Sequence, residues 1–136
     1  MDLMKLAESR NRKNAFCRRL GICIQEIAPG RAVVTKTVTE EDVNPLGIPH
    51  GGLYFTMADT ACGTAMATHG YAAVTVDASY HFLKSAAVGD TLRAESAEVR
   101  AGRSIGVYDV RITKQDGTLL GTGTFTFYRL DQKLTV

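Results

Sequence analysis

The pattern of hydrophobic and polar residues divides the chain into a short helix, two strands, a second helix and four further strands. Residues 2–17 carry a few apolar side chains among charged ones, which predicts an imperfectly amphipathic helix. Residues 20–39 are rich in β-branched residues and are interrupted by Pro29-Gly30, which predicts two strands joined by a tight turn.

The second helix is predicted over residues 51–68, where apolar side chains occupy nearly every side. A helix of this kind is enclosed by other structure. Four strand-like segments follow, separated by three short turns, so we expect an antiparallel meander. In the last segment, Gly121 and Gly123 leave one strand face nearly bare and able to accept a close helix. We therefore expect residues 1–136 to form one α+β domain, with a curved antiparallel sheet wrapped around the central helix.

Composition narrows the class of protein further. The chain has 136 residues, 45% of them hydrophobic, and a formal net charge of only +2, so charge alone does not call for a nucleic-acid or membrane partner. No stretch is long and apolar enough to span a bilayer, and the first residues lack the apolar core of a signal peptide. Three cysteines without a C-x-x-C pair are typical of free thiols in a reducing compartment. We expect a cytoplasmic protein.

Asp59 is the first candidate for chemistry, because it stands in the middle of the helix that should be enclosed. An unpaired carboxylate in apolar surroundings costs several kcal/mol, so such a residue generally has a partner or a use. The structural alternative is that Asp59 faces solvent or caps a neighbouring loop. Burial favours the functional interpretation.

The sequence His50-Gly51-Gly52 precedes this helix and places two residues without side chains at its unpaired N–H groups. Bare amides at a helix N-terminus, aided by the aligned peptide dipoles, can hold the oxygen of a polarised carbonyl. An isolated glycine pair more often makes only a sharp turn. Together with His50 and Asp59, the pair predicts a site.

These residues resemble a known family, the hotdog-fold thioesterases of the phenylacetate-degradation (PaaI-like) type. Its members have an asparagine, a His-Gly-Gly and a helical aspartate at similar spacing, here Asn44, His50-Gly51-Gly52 and Asp59. The similarity runs from about residue 38 to 128 and includes the segment VTVDASYHFLKS and the turn AGRS. It implies a hotdog fold, hydrolysis of acyl-CoA, no metal or organic cofactor beyond the CoA of the substrate, and homo-oligomers that are dimers or tetramers of paired dimers.

The resemblance also implies roles for individual residues. Asp59 would be the nucleophile or general base, and the Gly51 backbone N–H would polarise the thioester carbonyl. His50 and Asn44 would orient the carbonyl and the carboxylate across a subunit interface, and the Thr75 hydroxyl would position water. The substrate-binding residues implied are Gly52, Phe82, Lys84 and Arg103, with the last two meeting the phosphates of CoA.

Two other interpretations of the function remain open. A hotdog hydratase or dehydratase acting on acyl thioesters would also use a carboxylate and a histidine near the helix. A non-catalytic acyl-CoA binding module would have no need for Asp59. The three histidines have no carboxylate or cysteine at metal-ligand spacing, so we expect no metal site. His69 is expected to meet the carbonyl end of the helix, and the six basic residues within residues 1–20 are expected to form a solvated face.

Overall fold

The structure is a computed structural model that describes all of residues 1–136. Its order of elements, with α denoting helices and β strands, is α1 (Leu3–Lys13), α2 (Ala15–Leu20), β1 (Cys23–Ala28), β2 (Arg31–Thr37), α3 (Gly51–Ala67), β3 (Tyr71–Phe82), β4 (Thr91–Ala101), β5 (Ile105–Lys114) and β6 (Leu119–Lys133). A single 3₁₀ turn, Glu40–Asp42, lies between β2 and α3. No helix combines the length and the apolar character needed to cross a membrane.

The predicted wrapping of a sheet around a central helix is confirmed. All six strands form one antiparallel sheet, and α3, which ends one residue short of the predicted 51–68, packs against it. The sheet-facing side of α3 carries mostly small side chains, and Ala58, Ala61 and Ala65 have no exposed surface. Small residues let the helix axis lie close to the strands, so the sheet can curve around the helix.

The order of the strands corrects the predicted four-stranded meander. The sheet runs β1-β2-β4-β5-β6-β3, so only β4, β5 and β6 form a meander. β3 lies at the far edge beside β6, and β4 returns to pair with β2. The physical reason is that α3 occupies the concave side between β2 and β3. The helix carries the chain across this concave side to the edge of the sheet away from β2. The next strand, β3, therefore cannot pair with β2.

The N-terminal segment is two helices rather than the single helix predicted over 2–17. Asn14 has a non-helical backbone (φ −80°, ψ 86°) and accepts a hydrogen bond from the Cys17 N–H, so it ends α1 and caps α2. These helices cover the side of α3 that the sheet leaves open. Arg10 Nε donates to Thr64 Oγ1 at 3.1 Å, and Cys17 Sγ lies 3.2 Å from Thr60 Oγ1.

The two edges of the sheet differ. At β1, the Asn11 side chain accepts from the Ile24 N–H and donates to the Ile24 carbonyl, as a neighbouring strand would. At β3, no element covers the outer edge, and Val74 and Val76 are 47% and 55% exposed. An uncovered edge of this length invites pairing with another strand.

Gly121 and Gly123 do not receive a helix, which corrects the sequence expectation. They receive the ring of Tyr80 from the neighbouring strand β3. A Cβ at Gly121 would collide with the Tyr80 hydroxyl and stand 2.6 Å from the His81 carbonyl oxygen. The bare strand face therefore serves strand-to-strand packing.

This close approach predicts opposite effects for one substitution at two sites. Gly121→Ala should destabilise the protein by about 1–3 kcal/mol, because the methyl group overpacks a site bounded by backbone. Gly63→Ala in α3 should be neutral or stabilise by up to about 1 kcal/mol, because its Cβ would make ordinary 3.6 Å contacts inside a helix. Urea unfolding of both variants tests the pair, and equal stability of Gly121→Ala and the wild type would contradict it.

Candidate active site

Asp59 lies in the third turn of α3 and is only half-buried, on the side that faces α1 and β3. The Thr75 hydroxyl donates a hydrogen bond to its carboxylate, with 2.6 Å between Thr75 Oγ1 and Asp59 Oδ1. The two residues were separate sequence candidates, and the structure brings them into direct contact. The hydrogen bond from Thr75 orients the Asp59 carboxylate and leaves its second oxygen available.

A cavity of about 220 Å³ opens beside this pair, here called the Asp59 cavity. Its walls come from α1, α3, β3 and β6, and one side is apolar, formed by Ala67, Ala73, Phe127 and Leu134. Asp59 is the only acidic residue in the lining. A carboxylate at the end of an apolar cavity can act on a group that is held there away from bulk water.

Arg10 lines the same cavity, which corrects its assignment to a solvated helix face. Gly63 lies one turn after Asp59 and leaves room for the guanidinium, whose Nη2 stands 3.6 Å from where a Cβ would be. Burial lowers the pKa of Arg10, and Cys17 and Asp59 act in the opposite direction. Arginine nevertheless stays charged in proteins, so the cavity contains a fixed cation. No local signal in the sequence separates Arg10 from its exposed neighbours.

The N-terminus of α3 forms a second polar centre. His50 caps the helix by accepting the Gly52 N–H on Nδ1 at 2.8 Å. The Gly51 N–H, in contrast, has no acceptor within the chain. A Cβ at Gly51 would stand 3.2 Å from the ring of the exposed Phe82, which would have to shift slightly to admit it. The free Gly51 N–H, which the helix dipole makes a better donor, thus lies beside the Phe82 ring.

Phe82 and Lys84 join Gly51 in the lining of a second cavity of about 390 Å³, here called the Gly51 cavity. Its other residues are Ile48, Pro49, Tyr54, Leu83 and Ser85. Two of the predicted substrate-binding residues therefore lie together. Arg103 does not join them, since it is exposed in the turn between β4 and β5.

Within one chain, Asp59 and Gly51 do not meet. They are eight residues apart on α3, which at about 1.5 Å per residue separates them by roughly 12 Å along the helix. The Asn44 side chain hydrogen-bonds to neither, since its Oδ1 accepts the Leu46 and Ile48 N–H groups inside its own loop. Each chain therefore presents two separate polar centres.

A buried ion pair that was not predicted from the sequence holds the loop before α3. Lys36 Nζ lies 3.1 Å from Asp42 Oδ2, and both side chains are less than 10% exposed. Burial alone would raise the pKa of Asp42, but hydrogen bonds from the Thr39 backbone and from Lys36 outweigh it and lower that pKa. The Asp42 carbonyl in turn accepts the His50 N–H at 2.8 Å. The pair thus fixes the start of α3.

The remaining candidates have structural surroundings. The His69 ring contacts β4, since its Nε2 lies 2.5 Å from Glu98 Oε1, which also accepts from the Tyr108 hydroxyl. The His69 backbone N–H donates to the Met66 carbonyl in the last turn of α3, as expected. Burial raises the pKa of the Cys62 thiol, which keeps it protonated. The three cysteines are free. No cluster of three or more His, Cys, Asp or Glu side chains could hold a metal ion.

The family model of the thioesterase superfamily matches residues 46–120, which are more than half of the chain and include the whole of α3. The chain belongs to the thioesterase superfamily. The predicted fold class and the prediction of a thioester hydrolase are thereby confirmed at the level of this superfamily. The match spans both polar centres, since it includes Gly51, Asp59 and Thr75.

Known thioesterases of this superfamily are similar over most of the chain. The acyl-coenzyme A thioesterase PaaI of Escherichia coli is 38% identical over 109 residues, which are 80% of this chain and 78% of that protein. The structure of E. coli PaaI superposes with a TM-score of 0.94 at 33% identity and covers 98% of this chain and 96% of its own. The predicted resemblance to PaaI-like hotdog thioesterases is confirmed.

A thioesterase protein of Streptococcus pneumoniae, whose structure was solved with coenzyme A, superposes with a TM-score of 0.79 at 33% identity, over 83% of this chain and 88% of its own. Two further structures of that protein carry alanine at an aspartate and at a threonine sixteen positions later.

Proposed function

We propose that this protein hydrolyses acyl-CoA thioesters to a carboxylic acid and free CoA, with Asp59 as the catalytic carboxylate. The observation that carries the proposal is the hydrogen bond from Thr75 to Asp59 at the mouth of the Asp59 cavity. The sixteen-residue spacing of this pair equals the spacing of the two replaced residues in the S. pneumoniae thioesterase. The names of the relatives, an acyl-CoA thioesterase among them, support the same substrate class.

Two routes are open to Asp59. As a general base, it removes a proton from water while the water oxygen attacks the thioester carbonyl carbon. As a nucleophile, its oxygen attacks that carbon and forms an anhydride, which water then hydrolyses. In both routes the C–S bond breaks, the CoA sulfur leaves as a thiolate that takes up a proton, and negative charge develops on the carbonyl oxygen.

We assign the stabilisation of that oxygen to the free Gly51 N–H of a second subunit. The roughly 12 Å between Asp59 and Gly51 on one helix is too long for both to touch one carbonyl group. The uncovered edge of β3 offers a place for two chains to pair. A symmetric dimer then has two equivalent sites, each with Asp59 and Thr75 from one chain and Gly51 from the other. Further pairing of dimers to a tetramer remains an expectation.

The other predicted residues take supporting roles in this proposal. His50 fixes the helix start from which Gly51 donates, and Asn44 shapes the loop that leads to it. Gly52, Phe82, Lys84 and Arg103 are assigned to the CoA part of the substrate. The proposal requires no metal and no organic cofactor, and the free thiols agree with a reducing, cytoplasmic location.

The first prediction concerns the carboxylate. Asp59→Asn keeps the side-chain volume but removes the charge, so kcat on an acyl-CoA should fall by about two to four orders of magnitude while the protein stays folded. Thr75→Val should reduce kcat by a smaller factor, and Thr75→Ser, which retains the hydroxyl, should retain most of it. A release assay for free CoA measures all three variants. Activity of Asp59→Asn near the wild-type value would refute the assignment.

The second prediction concerns the backbone donor. Gly51→Pro removes the N–H while keeping the helix start, because proline fits the first position of a helix and His50 already has an extended backbone (φ −62°, ψ 139°). Gly51→Ala is the matched control, since it keeps the N–H and adds the same Cβ near Phe82. We expect kcat to fall about 100-fold or more in Gly51→Pro relative to Gly51→Ala. Equal activities would show that this N–H is not used.

Mixing the two inactive variants tests whether the site is shared between subunits. When Asp59→Asn and Gly51→Pro chains are co-expressed, about half of the dimers are hybrids, and each hybrid has one intact site. Activity should therefore return to about a quarter of the wild-type value. If both halves of a site came from one chain, the mixture would stay inactive.

The third prediction concerns the phosphates of CoA. Lys84→Ala and Arg103→Ala should each raise KM and weaken its dependence on salt, with kcat little changed, because phosphate binding is shared by ground and transition states. An acyl-pantetheine, which lacks the nucleotide, should be insensitive to both changes. Equal losses on acyl-CoA and acyl-pantetheine would instead place these residues in the fold or in the acyl pocket.

A further inference from the structure

Arg10 is a cation held inside the Asp59 cavity without a carboxylate partner. Its Nε donates to Thr64 Oγ1 at 3.1 Å, and this is the one protein hydrogen bond that its side chain makes. No acidic group lies within 4 Å of the guanidinium. Arg10 is partly buried, and a charged side chain withdrawn from bulk water is normally paired, because an unpaired charge in such surroundings is costly. The terminal nitrogens of Arg10 are therefore available to a ligand in the cavity.

The Asp59 cavity continues past Arg10 into a groove between α1 and the C-terminal residues, here called the tail groove. The two spaces share Arg10, Asn14 and Leu134, and the tail groove has a volume of about 330 Å³. Its further lining residues are Leu6, Ser9, Lys13 and Thr135. The groove is thus lined by two cations and no acidic residue, and Asp59, the one carboxylate of the Asp59 cavity, does not line it.

The position of Arg10 relative to Asp59 sets which part of a substrate it would meet. This step rests on the proposed function, which places the thioester carbonyl beside Asp59. Arg10 lies against Gly63, one helical turn or about 6 Å along α3 from Asp59. The acyl chain would extend along the apolar wall of Ala67 and Phe127, so Arg10 and the tail groove meet its far end and not its carbonyl.

We propose that this enzyme prefers thioesters whose acyl group ends in a carboxylate, and that Arg10 is the residue that selects them. A guanidinium presents a planar pair of donors that matches a carboxylate, which makes this pair stronger than a neutral hydrogen bond. Asp59 repels the same carboxylate and so favours its placement at the cationic end. A plain alkyl chain would leave the Arg10 donors unpaired in the cavity, which is a basis for rejecting it.

A role for Arg10 as a counter-charge to Asp59 would give a different pattern of rates. If the guanidinium acted only as a counter-charge to Asp59, its removal would change the rate for every acyl group by the same factor. The preference between two substrates that share the CoA part separates these accounts, because all other contacts cancel in the ratio.

The experiment compares kcat/KM for adipoyl-CoA and suberoyl-CoA with kcat/KM for hexanoyl-CoA and octanoyl-CoA, which differ only in the terminal carboxylate. We expect the wild type to prefer the carboxylate-ended member of at least one pair by about tenfold or more. Arg10→Gln should reduce that preference by about tenfold, and Arg10→Lys, which keeps the charge, should reduce it less. Arg12→Gln is the matched control, because Arg12 is exposed on the same helix, and it should leave the preference unchanged.

The wild-type measurement decides the matter even if an Arg10 variant fails to fold. Equal or faster hydrolysis of hexanoyl-CoA and octanoyl-CoA by the wild type would overturn the inference and leave the proposed function intact. An equal loss on all four substrates in Arg10→Gln would overturn it in favour of the counter-charge role. Failure of the wild type to hydrolyse any of the four would refute the proposed function for these acyl chains, and the inference with it.

Discussion

The close packing of α3 inside the curved sheet is the constraint on which the rest of the molecule depends. Ala58, Ala61 and Ala65 face the sheet without exposed surface, and Met57 is buried among them. Burying one side chain of the size of methionine contributes about 1.5–3 kcal/mol, so the contacts along α3 together outweigh the cost of one half-buried carboxylate on its other side. Asp59 can therefore be placed where chemistry needs it without loss of the fold.

Because α3 is held rigidly, the positions of its two polar centres are fixed as well. The buried Lys36–Asp42 pair holds the loop at the start of the helix, and the Thr75 hydroxyl holds Asp59 near its middle. The distance between the centres follows from the helix geometry alone. Within one chain, the two centres therefore cannot contact the same group. The uncovered edge of β3, in contrast to the β1 edge that Asn11 blocks, supports completion of the sites by a second copy.

The N-terminal helices α1 and α2 enclose the site and also add a charged group to it. They cover the open side of α3 and bring the guanidinium of Arg10 next to a cavity that would otherwise be apolar apart from Asp59 and a few hydroxyl and amide groups. The cavity thus contains both a carboxylate and a cation, and the cation comes from a segment outside the sheet and its central helix. In the proposed function, such a segment selects the acyl group, while the proposed catalytic groups lie on α3 and β3.

The sequence alone determined the elements and the chemical groups. The apolar pattern of residues 51–68 predicted the enclosed helix. Asp59 and the Gly51 N–H could be singled out because an apolar pattern and a helix end can both be recognised from neighbouring residues in the sequence. Only the tertiary structure decided which groups meet. The place of β3 at the far edge, the Tyr80 ring over Gly121 and the contact of Arg10 with Thr64 depend on long-range packing. The last of these joins residues 54 positions apart, and local periodicity contains no information about such contacts.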